Sequence, residues 1–155
     1  MPTTEMETRF VEFNVNFLEM SWIWLNDPEN KLLTNTEDFT KEKQLEWFNS
    51  LPSKADYLIW GITADNIPVG AAGLKRIVDN TAYVFWYIGD KRFQGKRIGE
   101  SIANRITEIA KNLGIKTLFS EIMFENFRSV NLFFKTGYKI IKIEKGLYLM
   151  RKNLI

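Results

Sequence analysis

The stretch Phe93-Gln94-Gly95-Lys96-Arg97-Ile98-Gly99-Glu100 decides the fold and points to the function of this chain. It follows the apolar aromatic run Tyr83-Val84-Phe85-Trp86-Tyr87-Ile88 and opens a long pattern of helical spacing. The first amides of a helix have no partner within the helix, and the helix dipole adds partial positive charge at that end. Lys91 and Arg92 add two cations to the same corner. A strand, a basic glycine-containing turn and a helix start therefore predict a binding site for a phosphate-bearing ligand.

The composition is typical of one folded domain and excludes several kinds of chemistry. The 155 residues are 45% hydrophobic and 14% aromatic, which is enough to bury a core and excludes a disordered chain. We therefore predict a single domain over residues 1–155. The chain has no cysteine and no histidine, so a thiolate nucleophile, thiolate metal ligands and the most common general base are excluded. We expect a site without a metal ion.

Charge and hydropathy set expectations about partners and location. The formal net charge of +2 is too small to indicate a nucleic-acid partner. Apolar runs stay shorter than the roughly 20 residues of a membrane span, and Met1 to Glu5 lack the basic and apolar regions of a signal peptide. These features predict a cytoplasmic protein, a monomer or a homodimer, that binds neither nucleic acid nor membranes.

Apolar alternation and short apolar runs predict seven strands. They cover residues 9–13, 57–62, 69–74, 81–88, 115–123, 138–143 and 147–150. Hydrophobic residues at helical spacing predict four helices, over residues 17–25, 40–50, 98–113 and 126–135. Residues 29–38 are polar and are predicted to form a loop, because Asn26-Asp27-Pro28 stops the first helix. This order of elements predicts a mixed α/β architecture.

Three further features are predicted for the second and third helices. Thr40 is in position to cap the second helix with its side-chain oxygen. The third helix is predicted to end at Gly114. Its buried face is predicted to consist of Ile98, Ile102, Ile106, Ile109 and Leu113.

Two short motifs lie at the starts of the third and fourth helices. The first is Gln94-Gly95-Lys96-Arg97-Ile98-Gly99, and the second is Glu125-Asn126-Phe127-Arg128-Ser129 followed by Lys135-Thr136-Gly137-Tyr138. With them the chain resembles the GCN5-related N-acetyltransferase (GNAT) family, whose acetyl-CoA turn is Gln/Arg-x-x-Gly-x-Gly/Ala and whose second signature is Glu-Asn-x-x-Ser/Ala with Lys-x-Gly-Phe/Tyr. The resemblance covers nearly the whole chain. It implies a mixed α/β (α+β-like) fold, with a twisted, mostly antiparallel sheet of about seven strands flanked by about four helices.

The resemblance implies acetyl-CoA as the cosubstrate, with its pyrophosphate held mainly by backbone amides of the first motif. Arg97 stands where the family has glycine, and it is interpreted either as a tolerated helix-start residue or as a direct contact to a CoA phosphate. A loop without strain requires a negative φ at Arg97. The residues implied to contact the cosubstrate are Tyr87, Ile88, Gly89, Gln94, Gly95, Lys96, Arg97, Ile98, Gly99, Glu100, Asn126, Ser129 and Phe133.

The resemblance also implies roles for three of these residues. The amide near Tyr87 would polarise the thioester carbonyl in the manner of an oxyanion hole. The backbone near Gly89 would pair with the pantetheine arm as an added strand pairs with a sheet edge. Asn126 would bond the pantetheine or cap the fourth helix, and both roles are compatible with its position.

Glu121 is the candidate general base. It shares one face of its strand with Phe119 and Met123, and a carboxylate among apolar neighbours is a better base than one in water. In the ribosomal-protein N-terminal acetyltransferases this strand position holds the base, and a tyrosine twelve residues later is the general acid. Here the twelfth residue is Phe133. The resemblance therefore implies Glu121 and Tyr87 as catalytic residues.

Two questions about this chemistry stay open in the sequence. Glu121 is alternatively a carboxylate on a wetted sheet face. The leaving thiolate departs unassisted or takes a proton from water or from a hydroxyl of Tyr83, Tyr87, Tyr138 or Tyr148. Without cysteine or histidine, direct attack of the amine on the thioester is favoured over an acyl-enzyme.

The acceptor is predicted to be a primary amine of low basicity. At pH 7 a lysine amine costs about 4.6 kcal/mol to deprotonate, whereas an α-amine costs about 1 kcal/mol. Trp24-Leu25-Asn26-Asp27-Pro28 resembles the N-acetyltransferases of nucleotide-linked amino sugars and the ribosomal-protein set. We predict a small-molecule acceptor, a nucleotide-linked amino sugar. The alternatives are a protein N-terminus and a non-catalytic acyl-CoA-binding sensor.

Overall fold

A computed structural model describes residues 6–95 and 97–154 of the chain. The described strands form one seven-stranded sheet with the order β1-β2-β3-β4-β5-β7-β6. The strands are β1 Thr8–Glu12, β2 Leu58–Ala64, β3 Ile67–Val78, β4 Thr81–Ile88, β5 Thr117–Met123, β6 Lys139–Glu144 and β7 Leu147–Asn153. Neighbouring strands are antiparallel except β4 and β5, which are parallel. The predicted mixed, mostly antiparallel sheet is confirmed.

The described α-helices are five rather than about four, and two short 3₁₀ helices lie at Leu51–Ser53 and Lys91–Phe93. The α-helices are α1 Val15–Asn26, α2 Pro28–Leu33, α3 Lys41–Ser50, α4 Ile98–Asn112 and α5 Phe127–Lys135. The predicted cap at Thr40 is confirmed, because its side chain accepts a hydrogen bond from the amide of Lys43 at 3.1 Å. Over the part of the chain that the structure describes, each helix is too short or too polar to cross a bilayer.

The extra helix is α2, which overturns the predicted loop over residues 29–33, whereas residues 34–38 lie outside the helices and strands as predicted. Asp27 caps α2 by accepting a hydrogen bond from the amide of Asn30 at 3.1 Å, and Pro28 occupies the first helical position. Proline is well suited to that position because its missing N–H would have no partner there. The Asn-Asp-Pro sequence that ends α1 therefore starts a second helix at once.

The two faces of the sheet are covered by different helices. Under α1 lies a core that includes Phe13, Phe17, Leu18, Trp24 and Ala71. On the other face α4 and α5 pack through Ile98, Ile102, Ile106, Val130 and Phe133. Strands covered on both faces consist of nearly continuous apolar residues. This explains the unbroken aromatic and aliphatic run of β4.

The buried face of α4 differs from the predicted one at its C-terminal end. Ile98, Ile102 and Ile106 are buried as predicted, but Ile109 is half-buried. Leu113 is 54% exposed, because it ends the helix where Gly114, with φ 81°, turns the chain toward β5. Two small residues, Ala103 and Ala110, complete the packed face instead.

The sheet opens between β4 and β5. Among the described residues these strands pair only from Thr81 to Tyr83 and from Thr117 to Phe119. Beyond this point β4 continues along β3 to Ile88, and β5 continues along β7 to Met123. Where two strands of a sheet separate, the backbone N–H and C=O groups along their facing edges lose their hydrogen-bond partners. The result is a wedge through the sheet, open at the end where α4 begins.

Candidate functional site

A cavity of about 1160 Å³ occupies the wedge between β4 and β5. Ligand sites commonly have volumes of about 300–1,000 Å³, so this cavity has room for a large ligand. One end, here called the turn end, is formed by Gln94, Gly95, Arg97 to Glu100 and the first turn of α5. The opposite end, here called the β3 end, is formed by α3, β3 and the middle of β5.

The structure brings most of the predicted cosubstrate residues to the cavity wall. The wall includes Tyr87, Ile88, Gln94, Gly95, Arg97, Ile98, Gly99, Glu100, Asn126, Ser129 and Phe133. Lys96 lies outside the described residues. Two motifs that are separate in the sequence therefore meet at the turn end.

Gly89 is the exception, because it does not lie on the cavity wall. Its N–H donates to the carbonyl of Val69 at 2.7 Å, and its own carbonyl accepts from the Asn30 side chain at 3.0 Å. A Cβ at this position would lie 2.2 Å from Cγ of Trp24, so only glycine fits beneath that ring. The predicted pairing of the Gly89 backbone with a ligand is replaced by bonds within the protein.

The two glycines of the turn have different surroundings. Gly95 has φ 77°, and a Cβ added there would meet no atom within 4 Å. A Cβ at Gly99 would lie 2.7 Å from the side chain of Leu132, so Gly99 also lets α4 and α5 approach. Glu100 follows in the first turn of α4, where its negative charge complements the helix dipole, and it pairs with Lys135 at 3.2 Å.

Arg97 adopts the left-handed backbone conformation, with φ 63° and ψ 12°. The prediction of a negative φ at this position is wrong. Residues with a side chain lose about 1–2 kcal/mol in this conformation. Arg97 therefore takes the place of the family's glycine in backbone geometry as well as in sequence, and its exposed side chain makes no capping hydrogen bond to α4.

A buried amide network holds the turn against the end of β4. Gln94 Nε2 donates to the carbonyl of Ile88 at 2.9 Å and to Asn30 Oδ1 at 3.4 Å. Asn30, which is 5% exposed, also donates to the carbonyl of Trp24 at 3.1 Å. Sequence reasoning missed Asn30 because α2 was predicted as a loop. The Asp-Pro start of α2 is the signal that places it on a helix facing β4.

Asn126 joins two elements at the mouth of the cavity. Its side-chain oxygen accepts from the amide of Ser129 at 3.3 Å, so its predicted role as the cap of α5 is confirmed. Its side-chain nitrogen donates to the carbonyl of Leu33 at 3.3 Å. Asn126 therefore links the start of α5 to the end of α2.

Glu121 lies at the β3 end, where it is paired with a cation. Its Oε1 accepts a hydrogen bond from Arg76 Nη1 at 2.8 Å, and the guanidinium of Arg76 lies 4.7 Å from the centre of the Tyr83 ring. The predicted apolar surroundings are therefore corrected. The reason is long-range, because Arg76 comes from β3, where the chain has φ 50° at a register shift.

Among the four tyrosines predicted as possible acids, only Tyr87 lies on the cavity wall. Tyr138 is 2% exposed, and within the described residues its hydroxyl has no hydrogen-bond partner. Tyr57, which sequence reasoning did not single out, also lies on the wall. Burial raises the pKa of both Tyr57 and Tyr87, so both hydroxyls keep their protons at neutral pH.

Phe133, which stands where some relatives have the acid tyrosine, is held by two aromatic contacts. It stacks on Trp86 with ring centres 4.5 Å apart and 12° between the planes. It also meets Tyr138 edge-on at 4.7 Å. Phe133 is 4% exposed, so it is part of the core, and it also lies on the cavity wall.

A profile of the acetyltransferase (GNAT) family matches residues 18–138, which is most of the chain. The chain belongs to this family. The matched region contains both motifs and the wedge between β4 and β5. The resemblance predicted from the motifs is therefore confirmed, together with the GNAT fold and, at the level of the family, the acyltransferase class.

Three known proteins indicate what this GNAT chain is similar to. An uncharacterized protein of Methanocaldococcus jannaschii, MJ1062, is 26% identical over 134 residues, which are 84% of this chain and 27% of that protein. The spermidine N(1)-acetyltransferase of Thermoplasma acidophilum is 25% identical over 117 residues, 76% of this chain and 72% of that protein. A crystal structure of the Campylobacter jejuni N-acetyltransferase PseH with acetyl coenzyme A superimposes with a TM-score of 0.77 at 16% identity, covering 96% of this chain and 100% of that one.

These similarities differ in what they establish. The chain spans only 27% of the length of MJ1062. The similarity to PseH, at 16% identity, is one of fold. The GNAT fold is therefore what these similarities have in common, and support for an activity comes from the residues on the cavity wall.

Proposed function

We propose that this chain is an acetyl-CoA-dependent N-acetyltransferase that transfers an acetyl group directly to a primary amine. The observation that carries the proposal is the single cavity that runs from the first amides of α4 to the carboxylate of Glu121. Family membership and the coenzyme bound in the PseH structure support it. The two ends of the cavity suit two different ligands that must meet in its middle.

The turn end would hold the diphosphate of coenzyme A. The amides of Gly95 and of Arg97 to Gly99 precede and begin α4, where no carbonyl of the helix is available to them. Two cations, Arg97 and Arg128, lie on the wall beside them. In the wedge, the pantetheine arm would pair with the separated edge of β4, as an added strand does. A Cβ at Gly70 would lie 2.0 Å from the carbonyl oxygen of Tyr87, so glycine at this position of β3 allows the end of β4 to lie this close.

The β3 end would receive the amine. In the proposed reaction Glu121 takes a proton from the ammonium group, and the free amine attacks the thioester carbon. The new N–C bond forms as the C–S bond breaks, the electron pair leaves with the thiolate sulfur, and the proton that the new amide nitrogen must lose passes to that thiolate. An amide near Tyr87 would stabilise the negative charge that develops on the carbonyl oxygen. Of the four tyrosines predicted as possible acids, Tyr87 is the one on the cavity wall, where its hydroxyl would relay a proton to the thiolate.

The acceptor we propose is the amine of a nucleotide-linked amino sugar. Flat aromatic side chains on the β3 end, Trp47, Tyr57 and Phe85, offer surfaces for a ring-shaped substrate. Trp24, from the sequence motif that suggested this acceptor, contributes no such surface. It is 5% exposed and packs in the core against Gly89.

One observation favours a second function. Phe133 lies at the family's acid position and is fixed by its contacts with Trp86 and Tyr138. A protein that binds acyl-CoA without turning it over, as a sensor, would tolerate the loss of this acid. The sensor hypothesis therefore differs from the enzyme hypothesis in the fate of the thioester.

Release of free thiol from acetyl-CoA tests the proposal. The purified chain is mixed with acetyl-CoA and a panel that includes UDP-linked amino sugars, short peptides and polyamines, while calorimetry measures coenzyme A binding. We expect binding, together with thiol release that depends on an amine. Tight binding without release on any amine would support the sensor instead. No binding of coenzyme A would contradict both.

A further inference from the structure

The β3 end of the cavity has an excess of positive charge. Lys43, Lys75 and Arg76 lie on its wall, whereas Glu121 is the acidic residue there and is already paired with Arg76. A carboxylate that neutralises one guanidinium leaves the two lysines without compensation. The two lysines differ in their surroundings.

Lys75 is the better placed of the two lysines. It is half-buried, and its ammonium lies 5.8 Å from the centre of the Phe85 ring. Among the described residues, no carboxylate approaches this ammonium within 4 Å. Burial and the neighbouring charge of Arg76 lower the pKa of Lys75. A half-buried cation without a counter-charge is unfavourable in the empty protein, and an anion brought beside it removes that cost.

The fixed surroundings of Lys75 define a pocket rather than an open surface. Phe85 is held close to the sheet, because its ring lies where a Cβ of Gly73 would be, 2.4 Å away. Tyr57 packs on Phe85 with ring centres 5.7 Å apart, and Trp47 meets Tyr57 edge-on at 6.2 Å. A substrate body that lies along these rings would bring its charged substituent to Lys75.

The position of Lys75 relative to Glu121 indicates what the acceptor carries. Lys75 is paired with Tyr83 in the sheet, Tyr83 is paired with Phe119, and Glu121 follows two residues after Phe119 on the same face of β5. A ligand that presents an ammonium to Glu121 would therefore present a second group to Lys75. Like charges facing each other are unfavourable, so that second group is not another ammonium.

We propose that the acceptor amine also carries an anionic group, a phosphate or a carboxylate, and that Lys75 binds this group and thereby selects the substrate. The inference rests on the proposed function and deepens it. It separates this chain from an acetyltransferase of polyamines, whose additional ammonium groups would face Lys75 and Arg76.

Matched amines test the proposal in the full chain. Glucosamine and glucosamine 6-phosphate differ only in the phosphate, glucosaminic acid supplies a carboxylate instead, and spermidine supplies extra positive charge. A hydrogen bond to a charged group discriminates by about tenfold or more. We expect kcat/KM for at least one anionic amine to exceed that for glucosamine by about this factor, with spermidine the poorest substrate. Which anionic amine is preferred identifies the phosphate or the carboxylate as the source.

Substitutions assign the selection to Lys75. Lys75→Met keeps the aliphatic stem over Phe85 and removes the charge, and we expect about a tenfold rise in KM for the preferred anionic amine with kcat and the KM for glucosamine unchanged. Lys75→Arg should restore the preference. Lys54→Met is the matched control. Lys54 also lies over an aromatic ring, 5.3 Å from the centre of Tyr57, but it is not on the cavity wall.

Three results would overturn the proposal: equal efficiency for the neutral and anionic amines, a Lys75→Met defect of equal size on both, or the same loss of preference in Lys54→Met. If no amine is acetylated, the proposed function is wrong, and the affinities of the amines then decide whether Lys75 selects an anionic ligand. Calorimetry on the coenzyme A complex would measure Kd for the same amines in the wild type and in Lys75→Met, with the same criteria.

Discussion

The two ends of the cavity are built in different ways. The turn end comes from two short contiguous segments, residues 94–100 and 125–129, and it offers mainly backbone amides. The β3 end is assembled from side chains far apart in the chain, among them Lys75, Arg76 and Glu121. Backbone sites at helix starts require glycines and a fixed spacing, and these are visible in a sequence. Side-chain sites require strands to be placed side by side, and that information appears only in the fold.

The two ends of the cavity are expected to respond differently to substitutions. At the turn end a substitution acts through the backbone conformation or through the charge it brings near the phosphates. At the β3 end it acts through the chemistry of one side chain.

The first prediction concerns the carboxylate of the β3 end. Glu121→Gln keeps an oxygen that can accept from Arg76 but removes the base, so we expect turnover to fall by about 10- to 1000-fold at neutral pH. The rate should recover partly as the pH rises, because more of the amine is then already deprotonated. Steady-state thiol release across the pH range measures both effects.

Glu125→Gln is the matched control for this prediction. Glu125 also lies on the cavity wall and is exposed, but it belongs to the start of α5 at the turn end. Its substitution is expected to leave turnover near the wild-type value. Unchanged turnover in Glu121→Gln would remove Glu121 from the proposed mechanism and leave the β3 end as a binding surface alone.

The second prediction concerns the turn end. Gly99→Asp and Gly99→Asn add side chains of the same size, and in both a Cβ would press on Leu132. Only aspartate brings a negative charge to the proposed phosphate site, so we expect coenzyme A to bind about tenfold more weakly to Gly99→Asp than to Gly99→Asn. Calorimetric dissociation constants decide the comparison. Equal values in the two variants would mean that the phosphates lie elsewhere.

The third and smallest effect concerns Arg97. Arg97→Gly removes the cost of a left-handed side-chain residue, so we expect the free energy of unfolding to rise by about 1 kcal/mol. Lys145→Gly is the control, because Lys145 has φ 51° in the turn between β6 and β7 and does not lie on the cavity wall. Urea unfolding should give a similar gain for both variants.

Coenzyme A affinity then separates the side chain of Arg97 from its backbone. Arg97→Gly should weaken binding by about threefold, the scale of an exposed ion pair, whereas Lys145→Gly should not change it. An unaltered affinity in Arg97→Gly would show that the amide alone serves the site. A loss of stability in Arg97→Gly would contradict the strain inferred from its φ.

Local signals predicted much of the fold. β4 has the predicted bounds, Thr81–Ile88, because an unbroken apolar run between Asp79-Asn80 and Gly89 has few alternative conformations. α2 was missed because Pro28 was interpreted only as a helix stop, although the same residue suits a first helical position. Local patterns therefore predict elements well where each residue favours one structure, and poorly where one residue favours two.

The candidate site was predicted unevenly for the same physical reason. The turn residues were found from spacing, yet the φ of Arg97 was predicted with the wrong sign because its side chain suggested ordinary backbone geometry. The partner of Glu121 was not found, since Arg76 lies 45 residues earlier and reaches it from another strand. Asn30 was not found because its role depends on the approach of α2 to the end of β4.

The short pairing between β4 and β5 makes the sheet two plates joined along a narrow parallel seam, three residue pairs long. One plate contains β1 to β4, and the other contains β5, β7 and β6. A long ligand bound in the gap would form hydrogen bonds with the separated strand edges and would thereby fix the angle between the plates. That angle would set the distance between a bound acyl group and the side chains around Lys75 and Glu121. We therefore expect coenzyme A to bind before the amine, because the pocket for the amine takes its final shape only when the gap is filled.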